Sequence, residues 1–190
     1  MADWPFSNLE SPRLTLRPLA RTDADAYLSI FSDPEAMQFW TGEPIASIDE
    51  ARELLDRDLD WVNAGDALCW GAALPETDRL IGKISLYLFS RQNRRAEIGY
   101  ILDRRYWRRG LMSEALAAVL DHAFDNLGLH RIEADVDPDH AASLALLARF
   151  GFRREGVFRD RWYVHGKWHD SVMLGLLAAD YIRTTAPENV

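Results

Sequence analysis

Apolar positions along this chain switch between two repeats, and the switches mark out its elements. Arg13-Leu14-Thr15-Leu16-Arg17-Pro18 alternates with the period of a half-buried strand and is closed by proline. From Thr22 to Phe31 the spacing becomes helical, with Ala24, Tyr27, Leu28 and Phe31 on one side, and Ser47–Val62 repeats it through Ile48, Ala51, Leu54, Leu55, Leu59 and Val62. Three strand-like runs follow at Ala67–Leu74, Leu80–Phe89 and Ala96–Leu102, separated by Pro75-Glu76-Thr77-Asp78 and by the polar run 91–95, which predicts a meander.

The longest regular helical pattern starts after Gly110 and runs through Met112, Leu116, Val119, Leu120, Ala123, Phe124 and Leu127, with Gly128 where a left-handed cap belongs. Its inner face is expected to carry no charge. Arg131–Val136 reads as a strand, Pro138 and Asp139 turn the chain, and Ala141–Phe150 is a helix ended by Gly151. Val157–Val164 and Trp168–Leu176 alternate around His165-Gly166 as a final hairpin, with His165 and His169 expected to face solvent. Strand, helix, strand in the middle implies a parallel crossover, so the sheet is predicted to be mixed.

Composition narrows this further. A chain of 190 residues with 48% hydrophobic side chains buries a sizeable core, and a single domain over 1–190 is the expectation. The lone cysteine, Cys69, excludes an internal disulfide, and Met1-Ala2-Asp3-Trp4-Pro5 lacks a basic and apolar leader, which suggests a reducing, cytoplasmic setting. No apolar stretch approaches the ~20 residues of a membrane span. No Cys/His cluster has metal-ligand spacing, and neither G-x-G-x-x-G nor G-x-x-x-x-G-K-[ST] occurs. The net charge of −8 is one-sided: residues 1–66 hold 5 basic and 14 acidic side chains, against 17 and 16 in 67–190. Two readings of the acidic part stand side by side, a field that draws a cationic partner and a solvated helix face over 49–60. The net charge and the lack of interleaved aromatics argue against a nucleic-acid partner for the arginines of 91–109.

Against that acidic background, RYWRRGLMSEA (105–115) is locally basic. Backbone N–H groups at a helix start have no intrahelical partner and carry the positive end of the dipole, so Gly110 and the first helical residues form a ready seat for a phosphate or diphosphate. Arg104, Arg105, Arg108 and Arg109 add attraction for a polyanion.

The segments AEIGYIL (96–102), YWRRGLMSEAL (106–116), LGLHRIEADVDPDHAAS (127–143) and RFGFRREGVFRD (149–160), with RLTLRPL (13–19) and HGKWHDSVMLGLL (165–177) nearer the ends, resemble the GCN5-related N-acetyltransferase superfamily, and within it the RimJ/RimL type. The resemblance implies an α/β (α+β) fold with a mixed, mostly antiparallel sheet whose central strands splay apart between flanking helices. It implies acetyl-CoA as co-substrate, no metal, and a primary amine as acceptor, whether a protein N-terminus, a small amine or an antibiotic. The pantetheine arm would run along the free edge of Ile98, Gly99, Tyr100 and Ile101. The diphosphate would sit at Arg105, Arg108, Arg109, Gly110, Leu111, Met112 and Ser113, with further cofactor contacts at His140 and Leu147. Three positions depart from the family pattern: Arg108 where glycine is usual, Met112 where glycine or alanine is usual, and His140 where asparagine is usual. His140 keeps a ring N–H donor, or is a solvated residue at a helix start. A module that binds acyl-CoA without turnover is the alternative class, and the oligomeric state, a homodimer included, stays open.

Acetyl transfer to an amine needs a neutral nucleophile, a stabilised oxyanion and a thiolate able to leave. Glu97 is the expected catalytic carboxylate, acting directly or through water, because on the strand 96–102 it points with Gly99 away from Ala96, Ile98, Tyr100 and Leu102. The alternative is a surface charge paired with Arg94 or Arg95, and Glu43 or Glu155 could take its place. A backbone N–H near Ile98 to Tyr100 is the family-like oxyanion donor. Ser143 is the expected proton donor to the leaving thiol, in a family where many relatives carry a tyrosine at the position of Leu147. A helix cap is its other reading.

Overall fold

A computed structural model describes residues 4–164 and 166–183. The strands are β1 (Leu9–Glu10), β2 (Thr15–Pro18), β3 (Ala67–Leu74), β4 (Arg79–Ser90), β5 (Arg95–Leu102), β6 (Arg131–Val136), β7 (Arg153–Val164) and β8 (Lys167–Leu177). They form one sheet in the order β1-β2-β3-β4-β5-β6-β8-β7. Helices α1 (Ala24–Phe31), α2 (Ile48–Asn63), α3 (Leu111–Asp121) and α4 (Ala141–Arg149) complete the frame. Every neighbouring pair is antiparallel except β5 and β6, which the α3 crossover makes parallel.

The meander, the crossover and the final hairpin agree with the hydrophobic pattern, with boundaries moved by a few residues. The turn at His165 lies outside the described residues, although Val164 and Lys167 pair on either side of it. Helix α2 starts at Ser47, whose hydroxyl accepts from the Glu50 amide at 3.2 Å, while the Glu50 carboxylate accepts from the Ala46 amide at 3.0 Å. The pattern that begins after Gly110 does not stay α-helical to its end. From His122 to Asn126 it widens into a π turn, with the Leu127 amide donating to the His122 carbonyl at 3.0 Å, before Gly128 turns at φ 64°.

Two apolar layers sandwich the sheet. On one face Ala96, Ile98 and Leu102 of β5 pack with Leu111, Met112, Ala115, Leu116, Val119 and Leu120 of α3 and with Leu147 of α4. On the other, Ile101 packs with Tyr27, Ile30 and Phe31 of α1 and with Ala51 and Leu55 of α2. Truncating Leu116, which has no exposed surface, to alanine would cost about 2–5 kcal/mol through lost burial and the cavity left behind.

Charge is placed differently from the sequence expectation in two of these elements. Glu114 of α3 is buried, so the inner face of that helix does carry a carboxylate. Asp58 of α2 also points inward, where it accepts from the Tyr27 hydroxyl at 2.6 Å and pairs with Lys83 of β4. Asp56 pairs with Arg21 at 3.0 Å and Asp49 with Arg52 at 2.8 Å, so this helix is neither a free acidic field nor wholly a solvated face.

Candidate active site

The site begins where β5 and β6 stop pairing. Their parallel register covers only Arg95–Arg131, Ala96–Ile132 and Glu97–Glu133. Beyond Glu97, β5 stays paired to β4 as far as Leu102, and β6 stays paired to β8 as far as Val136. Ile98, Gly99, Tyr100 and Ile101 therefore lie along a strand with one free edge, and unspent backbone donors and acceptors on such an edge can pair with an extended ligand.

A cavity of about 760 Å³ occupies the gap and takes its walls from both faces of the sheet. Tyr100, Met112, Ser143 and Leu147 line it on the α3/α4 side, and Trp40, Trp61, Lys83, Ser85, Tyr87 and Glu97 on the other. Leu147 has no exposed surface and serves as apolar wall.

The turn into α3 stands at the open end. Trp107 anchors its start by donating Nε1–H to the Leu102 carbonyl at 2.8 Å. Arg108 and Gly110 both take left-handed backbone angles, φ 57° and 76°, the first unusual for a side chain of that size. Among the described residues no hydrogen bond consumes the amides of residues 108–113. The first amide of the helix with a backbone acceptor is that of Glu114, on the Gly110 carbonyl at 3.1 Å. Arg108, Gly110, Leu111, Met112 and Ser113 line the cavity, so the turn opens onto it. Consecutive free N–H groups in such a bend form an anion-binding hollow, which is the fit a diphosphate requires.

The four arginines near this turn divide into two pairs. Arg104 is held by Asp33 at 2.7 Å, and Arg105 is bound to Asp103 and to the Ser29 hydroxyl at 2.5 Å. Burial works to raise the pKa of Asp103, but the hydrogen bonds from Arg105 outweigh it and hold the carboxyl below its usual range. Arg105 is thus committed to the turn's own structure. Among the described residues Arg108 and Arg109 have no ion pair, and the Arg109 guanidinium lies 5.4 Å from the centre of the Tyr106 ring.

The residues that hold this turn in place escaped the sequence reading. Arg13 donates Nη2–H to the Arg109 carbonyl at 2.7 Å and Nε–H to Glu114 at 2.7 Å, and its backbone amide reaches the second Glu114 oxygen at 3.1 Å. The Ser11 hydroxyl donates to the same oxygen at 3.2 Å. This bracket ties the Arg109 carbonyl and the first turn of α3 to the segment that leads into β2. Partners this far apart in the chain leave no signal in periodicity, although a Glu in the first turn of a buried helix is a hint that it has one.

The Glu97 carboxylate makes no hydrogen bond among the described residues. Burial pushes its carboxyl above the ordinary range, and the nearby Asp135 and Glu133 add to the shift while Arg161 and Arg95 oppose it. Arg95 pairs with Glu133 instead, so the ladder-pair reading of Glu97 does not hold. Of the alternative carboxylates, Glu155 is tied to Arg131, and neither Glu43 nor Glu155 lines the cavity. Tyr87, opposite Glu97 in the β4–β5 register, was also missed. A methyl on Gly99 would lie 3.2 Å from its ring, so glycine lets the Tyr87 hydroxyl close over the strand. Burial, then the Glu97 and Asp135 charges, keep that hydroxyl protonated. The predicted meander set the strands 80–89 and 96–102 side by side but not the register that brings Tyr87 opposite Glu97.

Ser143 is buried in the first turn of α4, and its hydroxyl bonds the Tyr100 hydroxyl at 2.8 Å rather than capping the helix, whose cap position is His140. Burial pushes the Tyr100 phenol up to about 12, so it holds its proton at neutral pH. His140 stacks on Phe39, ring centres 4.3 Å apart, and burial lowers its pKa. This places its ring against the loop after α1 instead of free in solvent.

One cavity thus opens both faces of the sheet beside a turn of unspent amides. The model of the acetyltransferase (GNAT) domain matches residues 13–153. The "uncharacterized N-acetyltransferase p20" of Bacillus licheniformis is 36% identical over 176 residues, 93% of this chain and 99% of that protein. The [ribosomal protein uS5]-alanine N-acetyltransferase of Escherichia coli is 32% identical over 118 residues, 62% of this chain and 61% of that one. The solved structure of Mycobacterium smegmatis RimJ in complex with CoA-disulfide superposes with a TM-score of 0.79 at 27% identity, covering 93% of this chain and 90% of that one. The chain belongs to the GNAT family and is an acetyl-CoA-dependent N-acetyltransferase. No described helix is long and apolar enough to cross a membrane.

Proposed function

We propose that this enzyme acetylates an α-amino group, such as the N-terminal amine of a ribosomal or other protein, within one acetyltransferase domain that spans the chain. Acetyl-CoA lies on the α3/α4 side with its diphosphate on the 108–113 turn and its pantetheine arm along Ile98–Ile101. The acceptor enters from the side of Trp40 and Trp61. The reading is carried by the break in β5–β6 pairing after Glu97, which opens the sheet where the two spaces meet.

Glu97 takes the proton from the acceptor ammonium, directly or through a water, and its raised pKa brings it closer to that of the amine it serves. Backbone N–H groups between Ile98 and Tyr100 face the carbonyl oxygen as negative charge grows there. Ser143 donates a proton to the departing sulfur, Tyr100, hydrogen-bonded to Ser143 and still protonated, replaces it, and the proton that the acceptor nitrogen sheds as the tetrahedral intermediate collapses returns to Tyr100. An α-amino group, with a pKa of ~7.7–8.0 against ~10.4 for a lysine-type amine, asks less of a carboxylate base. The similarity to a ribosomal-protein alanine N-acetyltransferase supports the same choice.

The test is thiol release from acetyl-CoA, with mass spectrometry of the products, over peptides with free N-termini and simple alkyl amines. Glu97→Gln should lower kcat about 100-fold on the alkyl amines and less on the peptides, and should remove the acidic limb of the pH profile. Equal loss on both classes would make Glu97 a positioning group, and no acetylation of any peptide N-terminus would end the α-amine reading.

A further inference from the structure

Lys83 is one of only two lysines among the 22 basic residues of the chain, and it is buried in β4 on the wall of the acceptor space. Its ammonium has three N–H donors and, among the described residues, one hydrogen-bond acceptor, Asp58, which also holds the Tyr27 hydroxyl. The rest of its surroundings is aromatic, with ring centres of Phe31, Tyr27 and Trp40 at 5.6, 5.8 and 5.9 Å. These faces tolerate the charge without taking up its remaining donors.

A buried ion pair is a weak device for stability, since apolar side chains of the same volume do as well. A half-satisfied ammonium facing a cavity is better explained by what enters the cavity. The β4–β5 register sets Lys83 opposite Ile101 and Ser85 opposite Gly99, on the same face as Glu97. The Lys83 rung therefore lies about 7 Å along the sheet from the Gly99 rung, the span of two peptide units.

Accepting the acyl-transfer reading above, we propose that Lys83, oriented by Asp58, is an acceptor subsite for a carboxylate or carbonyl oxygen carried two peptide units from the reacting amine. The acceptor class it selects is the end of a peptide or a dipeptide-sized amino acid, because the ammonium has donors to give and nothing with which to accept from the second amine of a polyamine. The acidic excess of residues 1–66 had suggested a cationic acceptor. None of the carboxylates of α2 lines the cavity, whereas Lys83 does.

The test compares kcat/KM for alanylalanine, alanylalaninamide, alanine ethylamide (which lacks the second oxygen) and putrescine, in the wild type and in the Asp58→Asn/Lys83→Met double variant. The double change leaves no unpaired charge buried, and thermal unfolding confirms that it folds. The wild type should favour alanylalanine over alanine ethylamide by about tenfold or more, with alanylalaninamide between them and putrescine last. The double variant should bring the three alanyl compounds within about twofold of one another, and Lys83→Arg should restore part of the order. In parallel, calorimetry of N-acetyl-alanylalanine binding to the CoA-loaded protein reads the subsite without turnover. Binding that vanishes in the double variant supports the proposal even if no amine of the panel is acetylated, an outcome that would overturn the acceptor reading instead. The Lys83 subsite is overturned if putrescine matches alanylalanine, if the order survives in the double variant, or if the acetylated dipeptide binds both proteins alike.

Discussion

Helices α3 and α4 begin at the same rim, each a few residues past one of the two splayed strands, and their starts are chemically opposite. At α3 a left-handed Gly110 leaves the amides of 108–113 unspent, with Arg108 and Arg109 beside them. At α4 the turn that leads into the helix spends its donors on itself. The Asp139 amide donates to the Asp137 carboxylate at 2.8 Å, and the amides of His140 and Ala141 donate to the carbonyls of Asp137 and Asp139, both at 2.9 Å. Two carboxylates stand where an anion would approach. A helix N-terminus becomes an anion seat only when the preceding turn keeps its amides free and the flanking charges are positive.

The change that should most damage this contrast is Gly110→Asp, which puts a carboxylate into the hollow of α3. Like charges in contact cost several kcal/mol, so the Kd for acetyl-CoA measured by calorimetry should rise about 100-fold or more with the far-UV spectrum unchanged. Unaltered affinity would remove the turn from the binding site. Arg13→Ala comes next. Losing the hydrogen bond to the Arg109 carbonyl and the pair with Glu114 lets that carbonyl swing toward the ligand, and about a tenfold rise in KM for acetyl-CoA is expected. Acetyl-pantetheine, which has no diphosphate, should be used equally well by variant and wild type, whereas a general loss of stability would depress both.

Smaller effects belong to α4. His140→Ala removes the stack on Phe39, worth about 0.5–1.5 kcal/mol, and should raise KM for the acceptor roughly threefold while acetyl-CoA affinity stays within about twofold. A larger effect on acetyl-CoA would return His140 to the cofactor side. The smallest change is expected from neutralising Asp137 and Asp139 together, because the amides of 139–141 are already bonded within the turn and the α4 start gains little affinity for phosphate. Tighter CoA binding in that variant would show that charge alone separates the two helices.

The same division runs through what the chain reveals before it folds. The strands at 67–74, 80–89 and 96–102 and the helix after Gly110 follow from local repeats, since side-chain direction in a strand or helix is set by neighbours two to four residues away. That local rule also placed Glu97 and Gly99 on the face opposite Ala96, Ile98, Tyr100 and Leu102. It failed at Glu114 and Asp58, polar residues on helices whose partners, Arg13 and Lys83, are distant in the chain. For Ser143 it offered only a helix cap beside the catalytic role that the resemblance implied, with no way to see the Tyr100 hydroxyl 2.8 Å away.

From its amino acids alone the chain specified a glycine bend with unspent amides after a strand, a parallel crossover and a carboxylate beside a strand glycine, because turn chemistry and hydrophobic period act over a handful of residues. Where β5 and β6 part, which arginines stay free for the ligand, and the burial of an ammonium under three aromatic rings were settled by assembly. Those features depend on contacts between segments tens to a hundred residues apart, and burial, which sets both the charge pairing and the pKa shifts, exists only once the layers have closed.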